Sequence, residues 1–182
     1  VKTEQDFTEN EHYIVGLKRS KYVTFCYHDQ HAAFPDSCWV ILSESSKARF
    51  LSALFNSTLF GAWVRVNGEQ KKDTYFIKIE VLYKFPLVYP EENQLWLYDH
   101  LYELMVAAGR NEQALGTGTI RSYFAAMLDA LIFCTYFSES MQQEKQSLYE
   151  SFESIIPKDL PIKEKRAALA EELFKVLYDR DH

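Results

Sequence analysis

Apolar and polar residues alternate along several stretches in the first half of the chain, with the period of two that a half-buried strand requires. In "TYFIKIEV", for example, Tyr75, Ile77 and Ile79 share one face. Stretches rich in β-branched and aromatic residues predict three strands, at Lys21–His28, Cys38–Leu42 and Thr74–Val81. The second is apolar throughout and is expected to be buried. "HYIVGL" predicts a further short strand with Gly16 at a turn or bulge.

A helical period replaces this alternation in the middle and in the second half of the chain. Residues 43–67 carry an apolar stripe that predicts a single helix, beginning at a capping serine and ending at Asn67-Gly68 with a positive φ at the glycine. A charged loop, "EQKKD", follows this helix. Beyond Pro90, which suits a helix N-terminus, four more helices are predicted, at Glu92–Met105, Ile120–Phe137, Ser140–Ser154 and Pro161–Asp179.

These two patterns predict an α+β fold in two parts. Residues 1–86 form a small mixed α/β half, and residues 87–182 form a helical half. Hydrophobic residues make up 47% of the chain, which is enough to bury a core. The helix at Ile120–Phe137 is apolar on nearly all sides, but Arg121 and Asp129 interrupt it. It is therefore predicted to lie inside a helical bundle rather than in a membrane.

Charge differs between the two halves. Residues 1–86 carry 11 Lys and Arg against 10 Asp and Glu, a net of +1, whereas residues 87–182 carry 9 against 16, a net of −7. Any surface that binds a polyanion is therefore expected in the first half. Solvated acidic faces on the C-terminal helices are the simpler cause of this asymmetry.

Cysteine usage and the N-terminal residues indicate the setting of the protein. Three cysteines, Cys26, Cys38 and Cys134, occur without CxxC spacing and favour a reducing, cytoplasmic compartment. The first residues are polar and acidic, unlike a signal peptide, and the missing initiator Met suggests a fragment of a longer chain.

No motif in the chain assigns an enzymatic activity. The patterns GxGxxG, GxxxxGK[ST], GxSxG and HExxH are all absent. Gly116–Thr119 precedes a helix and could cradle a phosphate, but it lacks the lysine and the preceding strand of a P-loop. Pro35-Asp36 together with Glu69-Gln70-Lys71 has the composition of a metal-dependent nuclease site, but Glu69 is predicted in a loop rather than on a strand.

A group of cysteine and histidine residues offers zinc-ligand chemistry without a zinc-binding spacing. Its members are Cys26, His28, His31 and Cys38. Residues i and i+2 of a strand share one face, so Cys26 and His28 would lie together, but the full spacing fits no common finger or ribbon. Neither a metal site nor a catalytic residue is therefore predicted.

Basic residues of the first half give the more specific expectation. Basic loops at the edge of a small sheet commonly hold phosphates and reach base edges. The candidate DNA-contacting residues, with Gln70 as a reader of bases, are Lys18, Arg19, Lys21, Arg65, Gln70, Lys71 and Lys72. The alternative is ordinary surface lysine, which the net charge of +1 alone would favour.

Three segments resemble signatures of bacterial restriction–modification proteins. "RFLSALFNSTLFGAWVR" is similar to the "LLALLNSxLxxxxxR" helix of Type I specificity-subunit target recognition domains, through Leu51, Leu54, Asn56, Ser57, Leu59 and Arg65. The stretch from Phe76 to Leu104 resembles the "xxLxxxPIPLPPxxEQ" segment of the same domains, through Leu82, Phe85-Pro86-Leu87, Pro90 and Gln94, without the second consecutive proline. "MLDALIFCTYFSESM" resembles the "xIDxLVYxLYxL" helix of Type IIG enzymes and related adenine-N6 DNA methyltransferases, through Leu128, Asp129, Leu131, Ile132, Tyr136 and Phe137.

The resemblance implies a C-terminal target-recognition region that reads DNA for a catalytic domain elsewhere in the parent protein. That methyltransferase domain would hold a flipped adenine with an Asn/Asp-Pro-Pro-Tyr/Phe motif and bind S-adenosylmethionine. Neither feature occurs here, so no catalysis and no cofactor are expected from this fragment. The implied partners are double-stranded DNA and the parent's methyltransferase domain, with a homo-oligomer left open and no membrane.

Two other functions stay open at this point. The chain could be a protein–protein interaction module without DNA binding, in which aromatic side chains and acidic helices dock a partner subunit. It could also be an enzyme of unknown type that uses the cysteine–histidine group.

Overall fold

The computed structural model describes residues 12–30, 32–110, 118–137 and 139–181. The fold is α+β, as predicted, and the chain separates into two compact units, Val1–Leu87 and Val88–His182. The described strands, all in the first unit, are β1 (His12–Leu17), β2 (Arg19–Ser20), β3 (Phe25–His28), β4 (Cys38–Ser43), β5 (Glu69–Lys71) and β6 (Thr74–Phe76). Three α-helices of that unit are α1 (Ser45–Asn56), α2 (Thr58–Asn67) and α3 (Ile79–Tyr83). The second unit contains α4 (Leu95–Arg110), α5 (Gly118–Tyr136), α6 (Gln142–Ile155) and α7 (Lys163–Asp181), with a 3₁₀ turn at Glu92–Gln94 before α4.

The first unit holds two antiparallel sheets of three strands each. The first sheet has the order β3–β1–β4 and the second the order β2–β6–β5. Gly16 lies within a regular register, opposite Phe25 on β3 and Trp39 on β4, so the predicted turn or bulge is wrong. Glycine is required for another reason, because a Cβ atom at this position would collide with the ring of Phe25.

Within the described residues, a helix covers one face of the first sheet. Helix α1 packs on β1 and β3, with the rings of Phe25 and Phe55 5.1 Å apart. On the opposite face Val40 and Leu42 of β4 are each 41% exposed. The prediction of a buried strand at Cys38–Leu42 is therefore wrong in its burial although right in its position, because an all-apolar strand does not specify what covers each face.

The predicted single helix is two helices that meet at Ser57. This residue is extended (φ −70°, ψ 158°), and its hydroxyl accepts the N–H of Phe60 at 3.1 Å, capping α2. The break changes the helical phase, so Phe60 and Val64 enter the core while Ala62 is exposed.

Gly68 has φ −82°, so the predicted positive φ is wrong. A Cβ atom there would lie 2.6 Å from the carbonyl oxygen of Val64, which excludes larger residues.

The predicted charged loop "EQKKD" and the strand after it are also arranged differently. Residues 69–76 form the hairpin β5–β6, and the predicted strand Thr74–Val81 ends at Phe76 and gives way to α3. Ile77, Val81 and Phe85 are buried at four-residue spacing, so this segment satisfies the helical period as well as the strand period. Tertiary bonds select the helix, because the indole N–H of Trp63 donates to the carbonyl of Val81 at 2.9 Å.

The second unit is a helical bundle centred on α4, which packs against α5 and α7, while α6 packs on α5. Helix α5 lies in the helical bundle, as predicted, but not all of its apolar sides are buried. Its buried positions, such as Phe124, Leu128 and Leu131, form one side, and Ala125 and Ala130 are exposed. Exposed alanines give the segment its apolar character without burial. No helix among the described residues is both long and apolar enough to cross a membrane.

Candidate nucleic-acid interface

The second sheet presents three of the seven predicted DNA-contacting residues on a tight hairpin. Lys71 pairs with Thr74 and Gln70 with Tyr75, so Lys72 and Asp73 form a two-residue turn. Lys72 has φ +56°, a left-handed conformation that costs an ordinary residue about 1 kcal/mol relative to glycine. Hairpin turns of this length prefer Gly or Asn at such a position. The lysine at the tip therefore lowers stability relative to glycine at the same position.

Strand β2 places Arg19 beside this hairpin. Arg19 lies directly opposite Phe76 of β6, and its Nε donates to the hydroxyl of Thr74 at 3.0 Å. That hydroxyl in turn donates to the carbonyl of Lys71 at 2.9 Å. Residues directly opposite in an antiparallel pair point to the same face, so the guanidinium and the Lys71 side chain share one face of the sheet.

Glu69 reduces the positive potential of that face. Its carboxylate lies 3.0 Å from Nζ of Lys78 and 3.1 Å from Nζ of Lys71. Hydrogen bonds from these two ammonium groups, with Lys78 the larger contributor, lower the pKa of Glu69. The predicted loop position of Glu69 is wrong, because it is the first residue of β5. Lys78 is not among the predicted DNA-contacting residues, and a strand running to Val81 does not predict its ion pair with Glu69.

In the structure, the side chain of Gln70, the predicted base reader, stabilises the hairpin turn. Its Nε2 donates to the carbonyl of Lys72 at 3.1 Å. Gln70 shares its face of the sheet with its partner Tyr75 and with Ser20, which lies opposite Tyr75 on β2. That face therefore carries an amide, a phenol and a hydroxyl, whereas the other carries the charged groups.

Lys18 occupies the junction between the two sheets. Its N–H donates to the carbonyl of Ser37, and its carbonyl accepts the N–H of Ile77 at 2.8 Å. Its ammonium lies 4.6 Å from the ring centroid of Trp39, a cation–π distance. The indole N–H of Trp39 donates to the carbonyl of Ile77 at 2.7 Å, which fixes the ring in place.

The remaining candidates lie at the margin of the second sheet. Lys21 directly follows β2, and its ammonium lies 5.7 Å from the ring of Tyr22, a side chain that is 70% exposed. Arg65 is an exposed residue in the last turn of α2, four residues before Glu69 begins β5. The structure therefore brings Arg19, Gln70, Lys71 and Lys72 onto one sheet, with the other three candidates beside it in the chain.

The described residues of the first unit have a more positive net charge than residues 1–86 as a whole. Residues 12–30 and 32–87 carry ten Lys and Arg against six Asp and Glu, a net of +4. The difference arises because four of the acidic residues of the first half lie in residues 1–11. The whole unit, Val1–Leu87, has 11 Lys and Arg against 10 Asp and Glu, so its net charge is +1, and the excess of positive charge lies in residues 12–87. A local excess of positive charge is consistent with binding to a polyanion.

The cysteine–histidine group and the Gly116–Thr119 segment can also be located in the structure. Cys26 on β3 and Cys38 on β4 are separated by β1, which lies between their strands, and Nδ1 of His28 accepts the N–H of Gln30. His31 lies outside the described residues. Within the residues that the structure does describe, no three His, Cys, Asp or Glu side chains are grouped as metal ligands. Of Gly116–Thr119, residues 116 and 117 fall outside the description, and Thr119 lies in the first turn of α5.

Comparison with known proteins gives no match: no family model fits the chain, and no curated protein or solved structure is significantly similar to it. Function is therefore inferred from the geometry and charge of the sheet described above.

Proposed function

We propose that the first unit reads double-stranded DNA and that the β5–β6 hairpin is the element that contacts it. In this proposal the chain is the target-recognition part of a restriction–modification protein related to adenine-N6 DNA methyltransferases. It positions the duplex for a catalytic domain that this sequence does not contain. The resemblance of the three segments described above supports this assignment, and the hairpin supplies the physical support.

The observation that carries the proposal is the lysine at the hairpin tip. The major groove of DNA is wide enough to admit a two-stranded β-ribbon. Lys72 at the tip and Arg19 beside it would contact phosphates, which provide affinity without sequence information. Gln70 would exchange its bond to the Lys72 carbonyl for contacts to a base edge, since glutamine is a common partner of adenine.

The test separates a functional lysine from a structural one through opposite effects on stability and binding. Lys72→Gly removes the conformational cost and should stabilise the protein by about 1 kcal/mol in urea unfolding. The same change should weaken binding to a duplex and reduce the slope of log Kd against log[salt] by about 0.9, the value for one lost phosphate contact. Fluorescence anisotropy with a labelled duplex at several salt concentrations measures both quantities.

Lys84→Gln is the matched control, because Lys84 is an exposed lysine of the same unit that lies beyond the sheet, at the end of α3. It removes the same charge and should leave the slope nearly unchanged. Wild-type protein that does not bind duplex DNA at low salt, or a Lys72→Gly variant with unchanged affinity and slope, would contradict the proposal.

Protein–protein interaction is the second candidate, and the partly exposed face of the first sheet, opposite α1, favours it. Leu17 is 47% exposed on that face, and Val40 and Leu42 are 41% exposed each. Apolar side chains grouped on a sheet face are typical of interaction surfaces. A Leu42→Lys variant that abolishes self-association in sedimentation experiments, together with no DNA affinity at any salt concentration, would support this function instead.

A further inference from the structure

The hydrogen bonds of the first sheet determine which backbone groups of β4 face its neighbour β1. The N–H of Lys18 donates to the carbonyl of Ser37 at 2.9 Å, one step beyond the end of β1 and in the register of the two strands. Hydrogen-bonded and non-hydrogen-bonded pairs alternate along an antiparallel ladder. Ile41 therefore bonds to β1, whereas the N–H and C=O groups of Val40 and Leu42 point away from it.

The other edge of the sheet, at β3, follows the same alternation and is closed by a side chain. Gly16 bonds to β4, so the backbone groups of its partner on β3, Phe25, point outward. The side-chain amide of Asn56 accepts the N–H of Phe25 at 3.0 Å and donates to its carbonyl at 2.6 Å. Asn56 thus satisfies this part of the β3 edge as a neighbouring strand would, and a further strand cannot pair at Phe25.

Within the described residues, the edge of β4 is protected at its start and open in its middle. The N–H of Cys38 donates to the carbonyl of Pro35 at 2.9 Å. No described group donates to or accepts from the outward backbone atoms of Val40 and Leu42. Both side chains are exposed, and residues 38–43 carry no charge. Soluble proteins usually keep such edges short, charged or covered, so an open apolar edge favours pairing with another strand.

The geometry of this edge fits a second copy of the same strand. Val40 and Leu42 lie two residues apart, and each offers one N–H and one C=O. An antiparallel copy centred on Ile41 places Val40 opposite Leu42 of the second copy, and the two such pairs exchange four hydrogen bonds. This register sets apolar side chains opposite each other and no like charges face to face. Helix α1 packs on β1 and β3, toward the other edge of the sheet.

We propose that the protein forms a symmetric dimer through antiparallel pairing of β4 with β4 of a second copy. The first sheets of the two copies then form one sheet of six strands, three from each copy. Because Asn56 closes the β3 edge in each copy, pairing stops at the dimer and does not continue into a fibre. Dimerisation uses the first sheet and DNA reading uses the second, so each holds or fails without the other.

Sedimentation equilibrium of the full chain measures the association. A small interface of this kind should give a monomer–dimer equilibrium with a Kd on the order of 100 µM. Val40→Pro removes an outward N–H from each copy and leaves the bonds of Ile41 to β1 in place. It should weaken dimerisation about tenfold or more, because two of the four bonds between the copies are lost.

A charged substitution tests the same edge without altering the backbone. Leu42→Lys places an ammonium against the apolar strand of the second copy and should also weaken dimerisation about tenfold. Val66→Lys is the matched control, because it introduces the same charge at an apolar residue of α2 that is 82% exposed. It should leave the Kd of the dimer unchanged.

A cross-link tests the register. Residues opposite each other in a non-hydrogen-bonded pair have Cα atoms about 4.5 Å apart, which a disulfide can span. Ile41 faces Ile41 of the second copy in such a pair, so Ile41→Cys in a Cys26→Ser, Cys38→Ser background should form a covalent dimer on mild oxidation. Val40→Cys in the same background should cross-link far more slowly, because the two copies of residue 40 lie diagonally, about 7–8 Å apart.

Three results overturn the proposal. The first is a protein that stays monomeric up to about 1 mM. The second is a dimer whose Kd is unchanged by Val40→Pro and by Leu42→Lys. The third is cross-linking of Val40→Cys that is as fast as that of Ile41→Cys. Circular dichroism melts show whether each variant folds, and if Val40→Pro does not, the comparison of Leu42→Lys with Val66→Lys decides.

Discussion

The two sheets of the first unit differ in the features that distinguish a scaffold from a binding element. The first sheet has strands of four to six residues, a regular register and a helix packed on one face. The second has strands of two or three residues, exposed cations and a strained turn. Short strands with few buried side chains contribute little to stability and tolerate variation, which suits a surface that reads different sequences. The comparison is consistent with the proposal above, in which the first sheet is the scaffold and the second is the binding element.

Gly16→Ala tests this division most severely. The added methyl group would collide with Phe25 in the first sheet and should lower the free energy of unfolding by about 3 kcal/mol. Gly61→Ala is the matched control, because a Cβ atom there meets nothing within 4 Å and alanine is the better helix former in α2. It should stabilise the protein by about 0.5–1 kcal/mol. Urea unfolding followed by circular dichroism measures both values, and similar values for the two variants would contradict the assigned packing.

Asn56→Ala removes the bond between α1 and the first sheet. The side-chain amide of Asn56 accepts the N–H of Phe25 at 3.0 Å and donates to its carbonyl at 2.6 Å. Alanine leaves both groups of the strand unpaired and should cost about 2 kcal/mol. Asn67→Ala, which removes only a bond to the carbonyl of Trp63 within α2, should cost much less. A thermal melt in which the two variants lose equal stability would show that the contact to β3 is unimportant.

Glu69→Gln acts on the second sheet and should change binding more than stability. It releases Lys71 and Lys78 from their ion pairs and should tighten binding to a duplex by about threefold in anisotropy measurements at low salt. Glu80→Gln removes a carboxylate from α3 and serves as the control. Weaker binding after Glu69→Gln would indicate that the carboxylate orients the lysines for contact rather than masking them.

Glu69→Gln should also change how the stability of the protein depends on pH. The pKa of Glu69 is lower in the folded protein than in the unfolded chain, so its ion pairs contribute stability above the unfolded pKa. That contribution is lost as the pH falls through the folded pKa. In melts between about pH 7 and about pH 3, Glu69→Gln should therefore lose less stability on acidification than the wild type does. Identical pH profiles would contradict the ion pairs.

Local pattern predicted the class and much of the order of this fold, because hydrophobic period and turn residues act within a few positions. It placed a strand at Cys38 and helices after Pro90, and the structure confirms both. It failed where distant groups decide the outcome. The segment from Ile77 to Val81 fits either period, and the indoles of Trp39 and Trp63 bind its carbonyls at both ends.

The candidate site shows the same limit. Basic composition selected Arg19, Lys71 and Lys72, which the structure brings onto one sheet. Pattern did not indicate that Lys72 and Asp73 form a hairpin turn, because neither Gly nor Asn marks the position. It also did not predict the ion pair between Lys78 and Glu69, since that pairing depends on where β6 ends.

The contact of Lys18 with Trp39 gives the protein an optical signal of its own. Of the three tryptophans in the chain, Trp39 is the one whose ring has a candidate phosphate-binding ammonium beside it, at 4.6 Å. When the ammonium moves from the indole to a phosphate, the electric field across the ring changes. The emission wavelength of the tryptophan changes with that field. If the second sheet binds DNA as proposed, intrinsic fluorescence should report that binding in unlabelled protein, and Trp39→Phe is the control that lacks the signal.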